Sequence, residues 1–135
     1  MTHTDIHLLL TGDELMSGDT VDSNSSMIAQ SLSAYGHSVV EKTTLGDDRT
    51  RLIRALERAA GVARILIMNG GLGPTQDDLT AELVAAAAGT ELALHPEADR
   101  HVREWCAARS IEPNEANLKQ AWLPAGASII ANPRG

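Results

Sequence analysis

The sequence predicts an α/β fold with a mainly parallel sheet, and three observations carry that reading. Short apolar runs suited to buried strands, Ile6 to Thr11, Val39 to Leu45 and Val62 to Met68, recur along the first half. Each is followed by a segment with helical character, so strand and helix alternate three times, the pattern of parallel strands joined by right-handed crossovers. Glycine punctuates the alternation at Gly12, Gly36, Gly46 and Gly61.

Taken in order, Gly12 ends the first strand and opens an acidic loop, Gly12-Asp13-Glu14-Leu15-Met16-Ser17-Gly18-Asp19. Asp22 or Ser23 then caps a helix running to Tyr35, with Ile28, Leu32 and Tyr35 on one face and Gly36 as its stop. After the second strand, Asp47 or Asp48 caps a helix whose inner face is Leu52, Ile53, Leu56 and Ala60, ended by Gly61. The third strand leads into a glycine loop and an alanine-rich helix from Leu79 to Ala88. Beyond Gly89 the pattern loosens. Pro96 opens a helix to about Arg109 with Val102 and Trp105 inward. Pro113 to Ala121 is a short helix or turn, Leu123 to Ala127 a loop, and Ser128 to Ala131 a last strand. Asn132-Pro133-Arg134-Gly135 is turn-like, and the expectation is one domain over 1–135, cut short at its C-terminal end.

Composition bounds what such a domain does. The chain has 135 residues, 43% hydrophobic and 21% charged, with no Phe, one Tyr and two Trp, so its core is aliphatic. A net charge of −7 with so few aromatic platforms argues against nucleic-acid binding. The single Cys106 excludes an intrachain disulfide and suits a reducing compartment; beside Trp105 it reads as a small core or boundary residue. The start, Met1-Thr2-His3-Thr4-Asp5, has neither a basic region nor a long apolar run, so no membrane partner and a cytoplasmic location are expected. The five histidines are scattered and none is assigned to a metal.

The chemistry concentrates in Asn69-Gly70-Gly71-Leu72-Gly73-Pro74-Thr75-Gln76-Asp77-Asp78. Glycines between a strand and a helix leave the backbone open to a ligand and aim N–H groups at an anion such as phosphate. Thr75 with Asp78 three residues on fits a capping box, which is the plain structural reading of that aspartate. Asp77 and Asp78 would repel a bare phosphate, so the loop reads as a phosphate site that also needs a divalent cation. Ligands in parallel sheets bind outside the carboxyl ends of the strands, where Thr11-Gly12-Asp13-Glu14 also lies. Hard oxygen ligands without His or Cys suit Mg²⁺ or Mn²⁺ carried largely by substrate phosphates and water. The loop matches neither the P-loop nor the dinucleotide fingerprint. Asp13 and Glu14 as solvated turn residues, Asn24 as a helix cap and Lys119 as a solvated cation are the competing plain readings.

These residues resemble a known family. Thr11-Gly12-Asp13-Glu14-Leu15, Gly18, Asp22-Ser23-Asn24 and Gly70-Gly71-Leu72-Gly73-Pro74-Thr75-x-Asp77-Asp78-Leu79-Thr80 are similar to the MoaB/Mog-type molybdopterin-binding domain. With Asn117-x-Lys119-Gln120-Ala121-x-Leu123-Pro124, the pattern resembles the N-terminal domain of the CinA (competence/damage-inducible) family. The resemblance covers nearly the whole chain and implies a three-layer α/β/α fold. It implies a cytoplasmic enzyme that binds a nucleotide or pterin phosphate and assembles as a homo-oligomer, a dimer or trimer. In the CinA family the domain is associated with metal-dependent hydrolysis of ADP-ribose; Mog-type relatives adenylylate molybdopterin with Mg²⁺-ATP. Asp78 falls where Mog-type enzymes carry their functional aspartate, and Asp77 where those enzymes commonly have Arg, which tilts the resemblance toward CinA. Asn69 departs from the Thr or Gly more usual there. Family members also continue with a Thr-Ala-Pro-Gly segment and often an amidohydrolase domain.

The resemblance therefore implies a pyrophosphatase whose Asp78 and Asp77 are catalytic and hold a divalent cation (Mg, Mn or Co). Thr11, Gly12, Asp13, Glu14, Asn24, Gly70, Gly71, Leu72, Gly73, Pro74, Thr75 and Lys119 bind the substrate in this reading. Molybdopterin adenylylation and a non-catalytic binding module are the alternatives.

Overall fold

A computed structural model describes residues 4–133; the start at Met1-Thr2-His3 and the end of the expected terminal turn, Arg134-Gly135, lie outside the described residues. The element order is β1 (Asp5–Thr11), α1 (Asp13–Ser17), α2 (Asn24–Ala34), β2 (Ser38–Leu45), α3 (Arg49–Val62), β3 (Ile65–Asn69), α4 (Thr80–Ala87), β4 (Leu92–Leu94), α5 (Pro96–Ala108), α6 (Glu115–Lys119) and β5 (Trp122–Pro124). The chain forms two compact units that divide between Gly71 and Leu72.

The first unit holds a parallel sheet in the order β2-β1-β3, so the α/β class with a parallel sheet is borne out. Its centre is β1, where Ile6 to Thr11 are all buried, as a continuous apolar run in a parallel sheet requires. His7 is the exception in chemistry. Its Nε2 meets Thr43 Oγ1 at 3.1 Å, and its Nδ1 lies 3.8 Å from Glu41, which pairs with Arg58 at 2.5 Å. The helix α3 buries Leu52, Ala55, Leu56 and Ala59.

The structure revises several local expectations here. The loop after Gly12 contains a turn of helix, α1. Tyr35 is 84% exposed and does not join the inner face of α2, because that helix ends at Ala34 and the following Tyr35 and Gly36 close a turn on Leu32 and Ser33. On α3 the inner alanine is Ala59, spaced i+3 and i+4 from Leu56 and Ala55; Ala60 lies one residue round the helix and is exposed. Gly61 is the penultimate helical residue, and Val62 ends the helix instead of opening β3, which begins at Ile65.

In the second unit, α4 is followed by β4 and β5, which pair antiparallel. Neither strand was expected as such: β4 is short and falls where the pattern loosens, and Leu123-Pro124 reads locally as a loop. Pairing makes the strand, with His95 N–H donating to Ala121 O and Ala125 N–H to Glu91 O. The strand expected at Ser128 to Ala131 does not form; Ile130 is 95% exposed, so that segment has no buried face to hold it. His95 caps α5, its Nδ1 accepting from Ala98 N–H, and Ala98 and Cys106 are buried on that helix. Asn114 and Asn117 form a reciprocal capping box at α6. Among the described residues no helix is long and apolar enough to cross a membrane.

Candidate functional site

Each unit contributes one cluster around a glycine and an aspartate. In the first unit, β1 and β2 both end in a residue followed by Gly-Asp, and the two aspartates bracket each other. Asp47 N–H donates to Asp13 Oδ1 at 2.8 Å, and Asp13 N–H returns a bond to Asp47 Oδ2 at 3.3 Å. Thr11 Oγ1 donates to Asp47 Oδ1 at 2.8 Å. Asp13 is therefore a bracing residue as well as an exposed acid. Helix capping, one of the roles expected of Asp47, belongs to Asp48 alone, whose carboxylate accepts Arg51 N–H at 2.8 Å. Asp47 is the residue that sequence reasoning missed; its signal was the Gly46-Asp47 pair after β2, repeating Gly12-Asp13 after β1.

Around that bracket, Glu14 keeps its carboxylate beside Gly12, where an added Cβ would come within 2.5 Å of Glu14 Oε1. Asn24, the first residue of α2, donates through its side-chain amide to Asn69 Oδ1 at 3.2 Å and so ties the helix start to the end of β3. The cap comes instead from Asp22, whose carboxylate accepts the N–H and the hydroxyl of Ser25. Those bonds, led by the hydroxyl, and then Lys42 outweigh partial burial and hold Asp22 below the usual carboxylate range. Gly70 has φ 105° and sits so near Thr11 that a Cβ would collide with the Thr11 carbonyl; Gly71 has φ 68°.

In the second unit, Asp78 Oδ2 accepts Thr75 N–H at 2.8 Å and Thr75 Oγ1 at 2.7 Å. The helix does not start at Thr75, however. Thr75 to Asp78 closes a turn through Asp78 N–H to Thr75 O at 3.3 Å, and α4 begins later, at Thr80. The expected capping box is thus half right: the bond from acid to threonine exists, but it shapes a turn ahead of the helix. A Cβ on Gly73 would lie 2.7 Å from Asp78 Oδ2, so Gly73 is where the carboxylate needs room.

Lys119 is not a solvated cation. From the end of α6 its Nζ donates to the carbonyls of Thr75 and of Asp78, the latter at 2.9 Å. Partial burial alone would raise the Asp78 pKa. The two Thr75 bonds, the Gly73 N–H and the Lys119 charge outweigh it, and the carboxyl sits below its usual range. Asp77 is exposed and makes no hydrogen bond or ion pair with another described residue. One of two adjacent acids is spent on the turn and the other is free.

Beside this turn lies a cavity of about 680 Å³ whose lining combines apolar residues such as Pro74, Val102 and Trp105 with charged ones such as Glu97, Arg100 and Glu104. Arg109 stacks on Trp105 at 4.0 Å. As for a metal, no three His, Cys, Asp or Glu residues come together among the described residues, so the donor set does not make a protein-only cage. It fits a cation that brings phosphate oxygens and water with it, the coordination habit of Mg²⁺.

Residues 7–130 match the family described as "Probable molybdopterin binding domain". The chain is 50% identical over all its 135 residues to a CinA-like protein of Colwellia psychrerythraea, and 44% identical over 130 residues to one of Geobacter sp. strain M21. It spans 31% of the length of each of these relatives. Among solved structures, the protein CinA from Thermoplasma acidophilum matches with a TM-score of 0.88 at 28% identity, over 97% of this chain and 77% of that one. The tungsten cofactor synthesizing protein MoaB from Pyrococcus furiosus shares the fold, with a TM-score of 0.62 at 17% identity over 90% of this chain and 89% of that one. With its parallel sheet, its glycine–aspartate turns and this match over most of its length, the chain belongs to the molybdopterin-binding domain family and is similar within it to CinA-like proteins.

Proposed function

We propose that this domain hydrolyses the phosphoanhydride of a nucleotide diphosphate of the ADP-ribose type with the help of a divalent cation, in the cytoplasm. The observation that carries the reading is the pairing of an ionised, turn-bound Asp78 with a free Asp77, on a turn whose carbonyls Lys119 holds. Asp77 and Asp78 would hold the cation (Mg, Mn or Co) together with the ligand's phosphate oxygens. When bound, such a cation supplies Lewis acidity at the pyrophosphate and a more acidic water.

The chain's own residues do the rest. Gly71, at φ 68°, leaves its backbone open to phosphate oxygens without a side chain of its own in the way. An ammonium has three donors, and Lys119 spends two on carbonyls, which leaves one for charge developing on the leaving phosphate. The cavity beside Pro74 takes the ring of the ligand and keeps water from that side.

A second reading, molybdopterin binding or adenylylation, is favoured by the family match over 7–130. A non-catalytic module is the third. One thermal-shift screen separates them, using ADP-ribose, AMP, ATP and molybdopterin, each with and without Mg²⁺ or Co²⁺. A ligand present at a hundred times its dissociation constant adds about 2.7 kcal/mol. Stabilisation by ADP-ribose only with the cation, accompanied by release of AMP, supports hydrolysis. Stabilisation by molybdopterin alone transfers the site to the second reading, and equal shifts with EDTA remove the cation from it.

A further inference from the structure

We infer that His7, Glu41 and Arg58 form a proton-operated latch, in which a proton taken up by His7 draws Glu41 off Arg58 and loosens α3 from the sheet. Strand register builds the latch. β1 and β2 pair in step at Asp5–Ser38 and Ile6–Val39, but His7 then lies opposite Glu41, because Val40 is an extra residue in the ladder. Such a bulge re-aims the side chains beside it. Here it sets an acid against a histidine that is only 1% exposed, on the central strand of the sheet.

Glu41 divides its two oxygens. Oε1 meets Arg58 Nη2 at 2.5 Å, while Oε2 lies 3.8 Å from His7 Nδ1, outside hydrogen-bond distance. That nitrogen is buried and has no hydrogen-bond partner among the described residues. The acid beside it favours the tautomer with the proton on Nδ1, and Thr43 O–H then donates to Nε2 across 3.1 Å. A proton added at Nε2 reverses that bond, because the hydroxyl turns and accepts.

The imidazolium is then a buried charge, and Glu41 is the acid within reach of it. On its other side β3 sets Leu66 opposite His7 and has no titratable residue over Ile65–Asn69. α3 buries Leu52, Ala55, Leu56 and Ala59, while its Arg51, Arg54 and Glu57 are exposed. Lys42 is turned toward Asp22 and Ser25 instead, and Asp5 is exposed at the start of β1. Burial decides which cation keeps the carboxylate. His7 cannot reach water, whereas the Arg58 side chain is 56% exposed and rehydrates readily. Closing the 3.8 Å gap to the ~2.8 Å of a charge-assisted bond moves the carboxylate about 1 Å toward His7 and away from Arg58.

The test follows the parent by NMR from about pH 8 to about pH 5, the range in which histidine changes charge. Imidazole nitrogen shifts of His7, identified by their loss in His7→Gln, report the tautomer and the added proton. Amide exchange in α3 and β1 reports the latch, expressed as protection factors to remove the pH dependence of exchange itself. The expected result is an Nδ1–H imidazole at the alkaline end and an imidazolium at the acid end. Over the same range α3 protection should fall about threefold while β1 protection holds. Glu41→Gln and Arg58→Gln change half-exposed partners and should hold α3 at its low value throughout. The latch is overturned by a His7 that stays neutral to the acid end, by α3 protection that ignores pH, or by an equal fall in β1. A Glu41→Gln protein with the parent's full response also overturns it.

Discussion

The two clusters built on glycine and aspartate are held in opposite ways. In the first unit Asp13 and Asp47, far apart in sequence, lock two strand ends together through reciprocal backbone bonds, with Thr11 sealing the join. In the second unit Asp78 closes a turn on its own neighbour Thr75, and Lys119 grips the turn from behind. The first arrangement spends both its carboxylates on structure. The second spends one, keeps it ionised and leaves Asp77 free, which is why the proposed chemistry is assigned there. A carboxylate's worth at a site depends on what its other oxygen bonds already satisfy.

The sharpest way to break this contrast is Gly70→Ala. Its Cβ would meet the Thr11 carbonyl at a positive φ, so overpacking and backbone strain should lower stability by about 3 kcal/mol, read by urea denaturation. A variant as stable as the parent would mean that the glycine is kept for the ligand alone. Next comes Asp78→Asn, which keeps an oxygen for Thr75 and loses the charge. Melting should move by only a few degrees while ADP-ribose turnover falls at least about 10²-fold, roughly 2.7 kcal/mol. Asp77→Asn should cost less turnover and no stability. An Asp78→Asn protein that retains full turnover would reduce this aspartate to a turn former.

Asp47→Ala should act the other way round. It leaves the buried Thr11 hydroxyl and the Asp13 N–H unmatched and should cost about 2 kcal/mol by denaturant unfolding. Because Asp48 is the cap, the helix content of α3 should be unchanged in circular dichroism. The smallest effect is in acid. The Asp22 and Asp78 carboxyls lie below their usual range when folded, so they bind protons less readily than in the unfolded chain. Their stabilisation is complete above about pH 4 and drains away as pH falls through the lower folded values. Asp22→Asn and Asp78→Asn should each flatten the acid limb of a stability–pH curve, and an unchanged limb would show that the bonds from Ser25 and Thr75 are not made in solution.

What the sequence determined by itself is the part written in short-range pattern. The apolar run of β1, the strand–helix alternation and the glycine–aspartate blocks follow from period, burial and glycine placement, and they sufficed for the α/β class and the family. Tertiary structure decided what depends on distant partners. Asp47 became a brace only because β2 lies beside β1. Lys119 left solvent only because α6 ends beside the carbonyls of the Thr75–Asp78 turn. Leu92 to Leu94 became a strand only because Trp122 to Pro124 pairs with it, and Ser128 to Ala131 did not because nothing pairs there. A backbone bond or an ion pair between residues remote in sequence leaves no periodic trace along the chain, so its partners are named only once the chain has folded.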